Sequence, residues 1–94
     1  MLNRDRRLAA AIIVRSAHLA DQKGQYAEVA RLLTQVLDVF PHDGQIYHNR
    51  GLAYRHLHRY DEALADFSQA VEGIKALAPV NSVETSLLLK THRF

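Results

Sequence analysis

The chain has 94 residues, which is enough for one small domain. Hydrophobic residues make up 48% and charged residues 23% of it, which is too apolar for a disordered tail and too polar for a membrane protein. Its net charge of +2 argues against a dedicated nucleic-acid-binding domain, and a cysteine count of 0 excludes disulfides and thiolate zinc sites.

The first residues carry three arginines and then an apolar run over 8–14, which superficially resembles a signal peptide. However, Asp5 interrupts the basic stretch and Arg15 ends the run, which is far shorter than the about 20 residues that span a membrane. An amphipathic helix of a soluble, cytoplasmic protein explains this segment better.

Helical spacing of apolar residues predicts a first hairpin. Its first helix runs from about Arg4 to Gln22, with Leu8, Ile12 and Leu19 at helical intervals, and Lys23-Gly24 supplies the stop. A second helix follows from Tyr26 to about Val39. Pro41 then forces a turn, because proline cannot continue a helix.

The same spacing predicts a second hairpin and a final helix. The third helix runs from about Gly44 to Leu57, and His58-Arg59 forms the turn. The fourth runs from Tyr60 to about Leu77, and a short apolar face predicts a last helix over about 82–92. With five helices and no strand pattern, the predicted fold is all-α.

The two hairpins are copies of one unit. A shift of 34 residues places Tyr26 on Tyr60, and nearly every following match up to residue 72 preserves size or charge. The second copy reads Tyr47-x-x-Arg50-Gly51-x-x-Tyr54, then Ala63-x-x-x-Phe67 and Ala70. This pattern resembles the tetratricopeptide repeat, in which a glycine and an alanine let the two helices of a hairpin approach closely. The resemblance implies an α-α superhelix, a right-handed stack of helical hairpins.

The first copy is a divergent version of the same pattern. Ile13 stands at the first aromatic position, Ala17 replaces the glycine and Ala20 replaces the tyrosine. We therefore expect residues 1–94 to form a single domain with repeat one over about 8–41, repeat two over about 44–77 and a capping helix over about 82–92. Two repeats are fewer than the three that usually make a stable stack, so something must cover the open ends.

In the tetratricopeptide repeat family, the first helices of successive repeats line a concave groove that binds a peptide or a partner's helix. The resemblance places nine residues on that groove: Arg15, His18, Gln22, Gln45, His48, Asn49, Leu52, Arg55 and His56. Asn49 stands where related domains hydrogen-bond a ligand's backbone, and the arginines and histidines make the groove mildly basic, which favours an acidic or carboxylate-bearing partner. One subgroup of the family grips the C-terminal carboxylate of chaperone tails through a set of lysine, asparagine and arginine side chains. We do not expect this chain to do so, because only Asn49 matches that set.

The sequence favours neither a metal site nor an enzyme. His48, His56 and His58 lack the i, i+4 spacing that brings two ligands together on one helix. Asp61, Glu62 and Asp66 are expected on the solvated convex face of a second helix, and no catalytic motif is present. We therefore expect no enzyme activity, no metal and no cofactor.

Two functions remain for such a chain. The first is a protein–protein interaction module that works as an adaptor or scaffold through the groove. The second is a structural assembly unit that acts by homo-oligomerisation, which the short array and the apolar run Leu87-Leu88-Leu89 favour. In both cases the partner is a protein, with no nucleic acid and no membrane span.

Overall fold

The computed structural model describes residues 2–77 and, within them, the side chains of residues 4–73. These residues form four α-helices: α1 (Leu2–Gln22), α2 (Tyr26–Val39), α3 (Gly44–His56) and α4 (Tyr60–Leu77). Each helix packs mainly against the next one along the chain, so α1–α2 and α3–α4 are hairpins that stack through α2 and α3. The predicted all-α stack of helical hairpins is confirmed. The expected fifth helix, over about 82–92, and Leu87-Leu88-Leu89 lie outside the described residues.

The two hairpins turn in the same way. Gly24 has a φ of 72° and His58, at the equivalent position of the second hairpin, has a φ of 62°. In each turn the following residue donates a hydrogen bond from its backbone N–H to the carbonyl oxygen five residues earlier. These bonds run from Gln25 to Ala20 and from Arg59 to Tyr54, both at 2.9 Å. Both turns therefore contain a residue with a left-handed backbone conformation. Only the first turn has a glycine at this position, which adopts the conformation without strain.

The connection between the hairpins fixes where α3 begins. The N–H of Phe40 donates to the carbonyl of Val36 at 2.9 Å, which closes the last turn of α2 before Pro41. Asp43 then caps α3, because its side chain accepts hydrogen bonds from the backbone N–H groups of Gln45 and Ile46. This short, capped connection lets α3 pack directly against α2.

The hydrophobic core lies between consecutive helices. On α1, the residues that it buries are not the large apolar residues whose spacing predicts the helix. The helix itself is confirmed, but its buried face carries alanines, whereas Leu8, Ile12 and Leu19 are 60%, 68% and 50% exposed. The buried apolar residues of α1, α2 and α3 form one cluster: Ala10, Ala17, Ala20, Val29, Ala30, Leu32, Leu33, Val36, Leu37, Ile46 and Ala53. Small side chains on α1 let its axis approach α2 closely.

Two glycines set the distance between α3 and α4. A Cβ atom on Gly51 would lie 2.7 Å from the ring of Phe67, which confirms that the glycine of the repeat pattern accommodates the other helix of its hairpin. Gly73 makes a second close approach, because a Cβ atom there would lie 2.8 Å from the backbone of Gly44. The hairpin is therefore held together closely at both places.

A buried ion pair joins α3 to α4. Arg50 donates two hydrogen bonds to Asp66, from Nε to Oδ2 at 2.8 Å and from Nη2 to Oδ1 at 2.7 Å, and a third from Nη1 to Thr34 Oγ1 at 3.1 Å. Its guanidinium also lies 5.6 Å from the ring centroids of both Tyr47 and Tyr54. Asp66 is only 4% exposed, so its expected place on a solvated convex face is wrong. The burial follows from Arg50, which gives the carboxylate a partner inside the repeat.

No helix among the described residues is both long enough and apolar enough to cross a membrane.

Candidate functional site

A hollow of about 190 Å³ lies between α1 and α3, above the face of α2. Eight residues line it: Val14, Ala17, His18, Asp21, Val29, Leu33, Asn49 and Leu52. Three of them, Ala17, Val29 and Leu33, are at most 4% exposed and belong to the core. The hollow therefore has an apolar floor that does not depend on a ligand for its shape, with polar side chains of the first helices at its edge.

Two polar side chains at that edge are oriented by neighbours one turn away. Asn49 Oδ1 accepts a hydrogen bond from Gln45 Nε2 at 3.2 Å, and His18 Nε2 lies 3.3 Å from Gln22 Nε2. The Nδ2 amide group of Asn49 makes no hydrogen bond within residues 2–77, so it can donate to a ligand carbonyl. Gln22 and Gln45 therefore act on this hollow through His18 and Asn49 and do not line it themselves.

The charges in and around the hollow differ in sign. Asp21 is the one acidic side chain among the lining residues, and no arginine or lysine lines the hollow. Arg15 and Arg55 are exposed outside the lining, and neither forms an ion pair within the described part of the chain. The arginines expected for the groove therefore lie around the hollow, whereas a carboxylate is among the residues that line it.

Two of the expected groove histidines contact aromatic rings instead. His56 stacks on Tyr26 of α2, with the ring centroids 4.1 Å apart and the planes 4° from parallel. His48 packs against Phe67 of α4, with centroids 5.6 Å apart. These contacts help to hold α3 against the helices on either side of it.

The ion pair between Arg50 and Asp66 anchors α3, the helix that carries Asn49 and Leu52. Its hydrogen bonds to Asp66 raise the pKa of the Arg50 guanidinium above its ordinary value, so this side chain is charged at every physiological pH. Because Arg50 bonds to both α2 and α4, the α3 residues that line the hollow are on a helix anchored from two sides.

The structure brings three of the nine expected residues to the hollow itself: His18, Asn49 and Leu52. Sequence reasoning missed Asp21 as a lining residue, although it lies three residues after His18 and therefore on the same side of α1. It also missed the floor, since Val29 and Leu33 belong to a second helix and no spacing on α1 or α3 indicates them.

Comparison with known proteins agrees with this architecture. Residues 44–72, which cover most of the second hairpin, match the family model described as the tetratricopeptide repeat. No curated protein matches the chain. The chain therefore carries a tetratricopeptide repeat in its second hairpin, and its four described helices are consistent with repeats of this type. Such repeats are in general protein–protein interaction modules, and their family is typically not enzymatic.

Proposed function

We propose that this tetratricopeptide-repeat chain is an adaptor that binds a peptide or a partner's helix in the hollow between α1 and α3. The observation that carries the proposal is a preformed apolar floor beside the Asn49 amide group, which has no hydrogen-bond acceptor within the described residues. An apolar side chain of the partner fills the floor, while its backbone carbonyl accepts from Asn49.

The charges define a partner with two parts. Inside the hollow, Asp21 favours a hydrogen-bond donor, such as a backbone N–H group or a hydroxyl. Outside it, Arg15 and Arg55 favour acidic residues, since a guanidinium can donate two parallel hydrogen bonds to a carboxylate. We therefore propose a segment with an apolar anchor and flanking acidic residues.

A peptide library displayed on phage and selected on the immobilised chain supplies a defined probe. Selected peptides are then titrated calorimetrically into the wild type, Asn49→Ala, Arg55→Ala and the double variant. Loss of one hydrogen bond predicts about tenfold weaker binding for Asn49→Ala. Arg55→Ala is expected to weaken only the peptides with acidic residues, and more so at low salt.

The matched control is Gln35→Ala, an exposed change on α2 that lies outside the lining of the hollow. It is expected to leave every affinity unchanged. If the selected peptides bind Asn49→Ala as tightly as the wild type, the hollow is not their binding site. A selection that enriches no sequence would also contradict the proposal.

We also propose assembly through homo-oligomerisation as the second candidate function. The observation that favours it is the exposure of large apolar side chains on both outer helices, α1 and α4, with Ile12 68% and Leu64 65% exposed. Such side chains on adjacent turns of one helix face are typical of a surface that packs against another protein.

A further inference from the structure

The outer face of α4 carries an apolar stripe. Tyr60, Leu64 and Val71 are 56%, 65% and 52% exposed, and their spacing of four and seven residues places them on one side of the helix. The residues at the equivalent positions of the first repeat are Tyr26, Ala30 and Leu37. There, Ala30 and Leu37 are buried within the core that α2 and α3 share.

The outer face of α1 carries the matching stripe. Leu8, Ile12 and Leu19 have the same spacing and are at least half exposed. The repeat equivalents of Ile12 and Leu19 are Ile46 and Ala53 on α3, which are buried at 7% and 2% exposure. The α4 stripe therefore occupies the positions that α2 uses in the α2–α3 junction inside the chain. The α1 stripe occupies the positions that α3 uses there.

Charge distinguishes the two ends. Beside the α1 stripe, Arg4, Asp5 and Arg15 are exposed on the same side as Leu8, so arginines outnumber aspartates there. Beside the α4 stripe Asp61 is exposed, whereas Asp66 is buried against Arg50 and Glu62 pairs with Arg59. Opposite charges favour pairing of α1 with α4, whereas two α1 faces would bring arginines together.

We propose that copies of this chain associate head to tail, with the α4 stripe of one copy packed against the α1 stripe of the next. This inference rests on the assembly function proposed above and specifies its surfaces. Because Leu64 and Leu19 are larger than their internal equivalents Ala30 and Ala53, the helix axes are further apart at this junction than at α2–α3. A head-to-tail contact leaves one stripe free at each end, so the assembly grows with concentration.

Two variants of the full chain test the pairing by sedimentation velocity over a concentration series. Ile12→Asp disables the α1 stripe and Leu64→Asp disables the α4 stripe. Each variant alone is expected to stay at the 10.7 kDa mass of one chain, with self-association weakened about 100-fold or more. Mixed in equal amounts, the two retain one intact α4 stripe and one intact α1 stripe, so they are expected to form a species of two chains that grows no further.

Because both side chains are exposed, each substitution should preserve the helical circular dichroism of the monomer. The matched control is Ala65→Asp, which is exposed away from the stripe on α4 and should associate as the wild type does. As a second measurement, Ile12→Cys and Leu64→Cys in a chain without other cysteines should form the mixed disulfide in preference to either symmetric one.

The outcomes separate the pairing from the assembly function. A wild type that remains monomeric at about 1 mM overturns both, and residues 78–94 are then the occupant to consider for α4. If the wild type associates and a single variant also associates, only the head-to-tail pairing is overturned. The same holds if the wild type associates and the mixture of the two variants stays monomeric. Association of Leu64→Asp by itself would indicate α1 pairing with α1.

Discussion

The substitution Arg50→Met tests whether the buried ion pair holds the second hairpin together. Methionine keeps most of the length and apolar surface of the arginine stem but removes all three hydrogen bonds to Asp66 and Thr34. The side chain of Asp66 is 5% exposed and that of Arg50 is 18% exposed. The substitution therefore leaves a carboxylate with little access to water and without its cation.

Breaking a buried pair from one side costs about 3–5 kcal/mol, and we expect about 3 kcal/mol here because Arg50 retains some contact with solvent. A chain of 94 residues has a free energy of unfolding of about 5–14 kcal/mol at typical values per residue. The variant would thus lose a large share of its stability. In the double variant Arg50→Met/Asp66→Leu no charge is left unpaired, so it should be more stable than Arg50→Met alone.

Urea unfolding followed by circular dichroism at constant pH measures these differences, provided that the m-value is unchanged. Arg31→Met is the matched control, because the Arg31–Glu28 pair is 57% and 42% exposed and should contribute less than about 1 kcal/mol. If Arg50→Met costs no more than this control, or if the double variant is as unstable as the sum of its single changes, the ion pair does not hold the hairpin.

Two further predictions concern backbone positions, and thermal or urea unfolding checks both. Gly73→Ala places a methyl group against the backbone of Gly44, so α4 must move outward. The free energy of unfolding should therefore fall by about 1–2 kcal/mol. An unchanged or higher stability would mean that the two helices are not in tight contact at this position. His58→Gly relieves a φ of 62° and should raise the stability by about 0.5–1 kcal/mol, whereas Gly24→Ala, its counterpart in the first turn, should lower it by about 1 kcal/mol. Changes of the same sign at the two turns would contradict this explanation.

Part of the candidate site was within reach of the sequence. Asn49 and Leu52 follow from the repeat pattern, because the register of α3 is fixed by Gly51 and by the tyrosines on either side of it. Asp21 could have been found from its spacing after His18. The stacking of His56 on Tyr26 could not, because it depends on how far α3 sits from the start of α2.

The sequence by itself determined the four described helices, their turns and the repeat, since these depend on spacing, on proline and on glycine within short stretches. Only the tertiary structure decided which apolar faces are buried. Leu8 and Leu64 have the same helical spacing as core residues, yet they lie on the outer helices, where no neighbour among the described residues covers them. It also decided the burial of Asp66, because a carboxylate is buried only where a partner such as Arg50 reaches it.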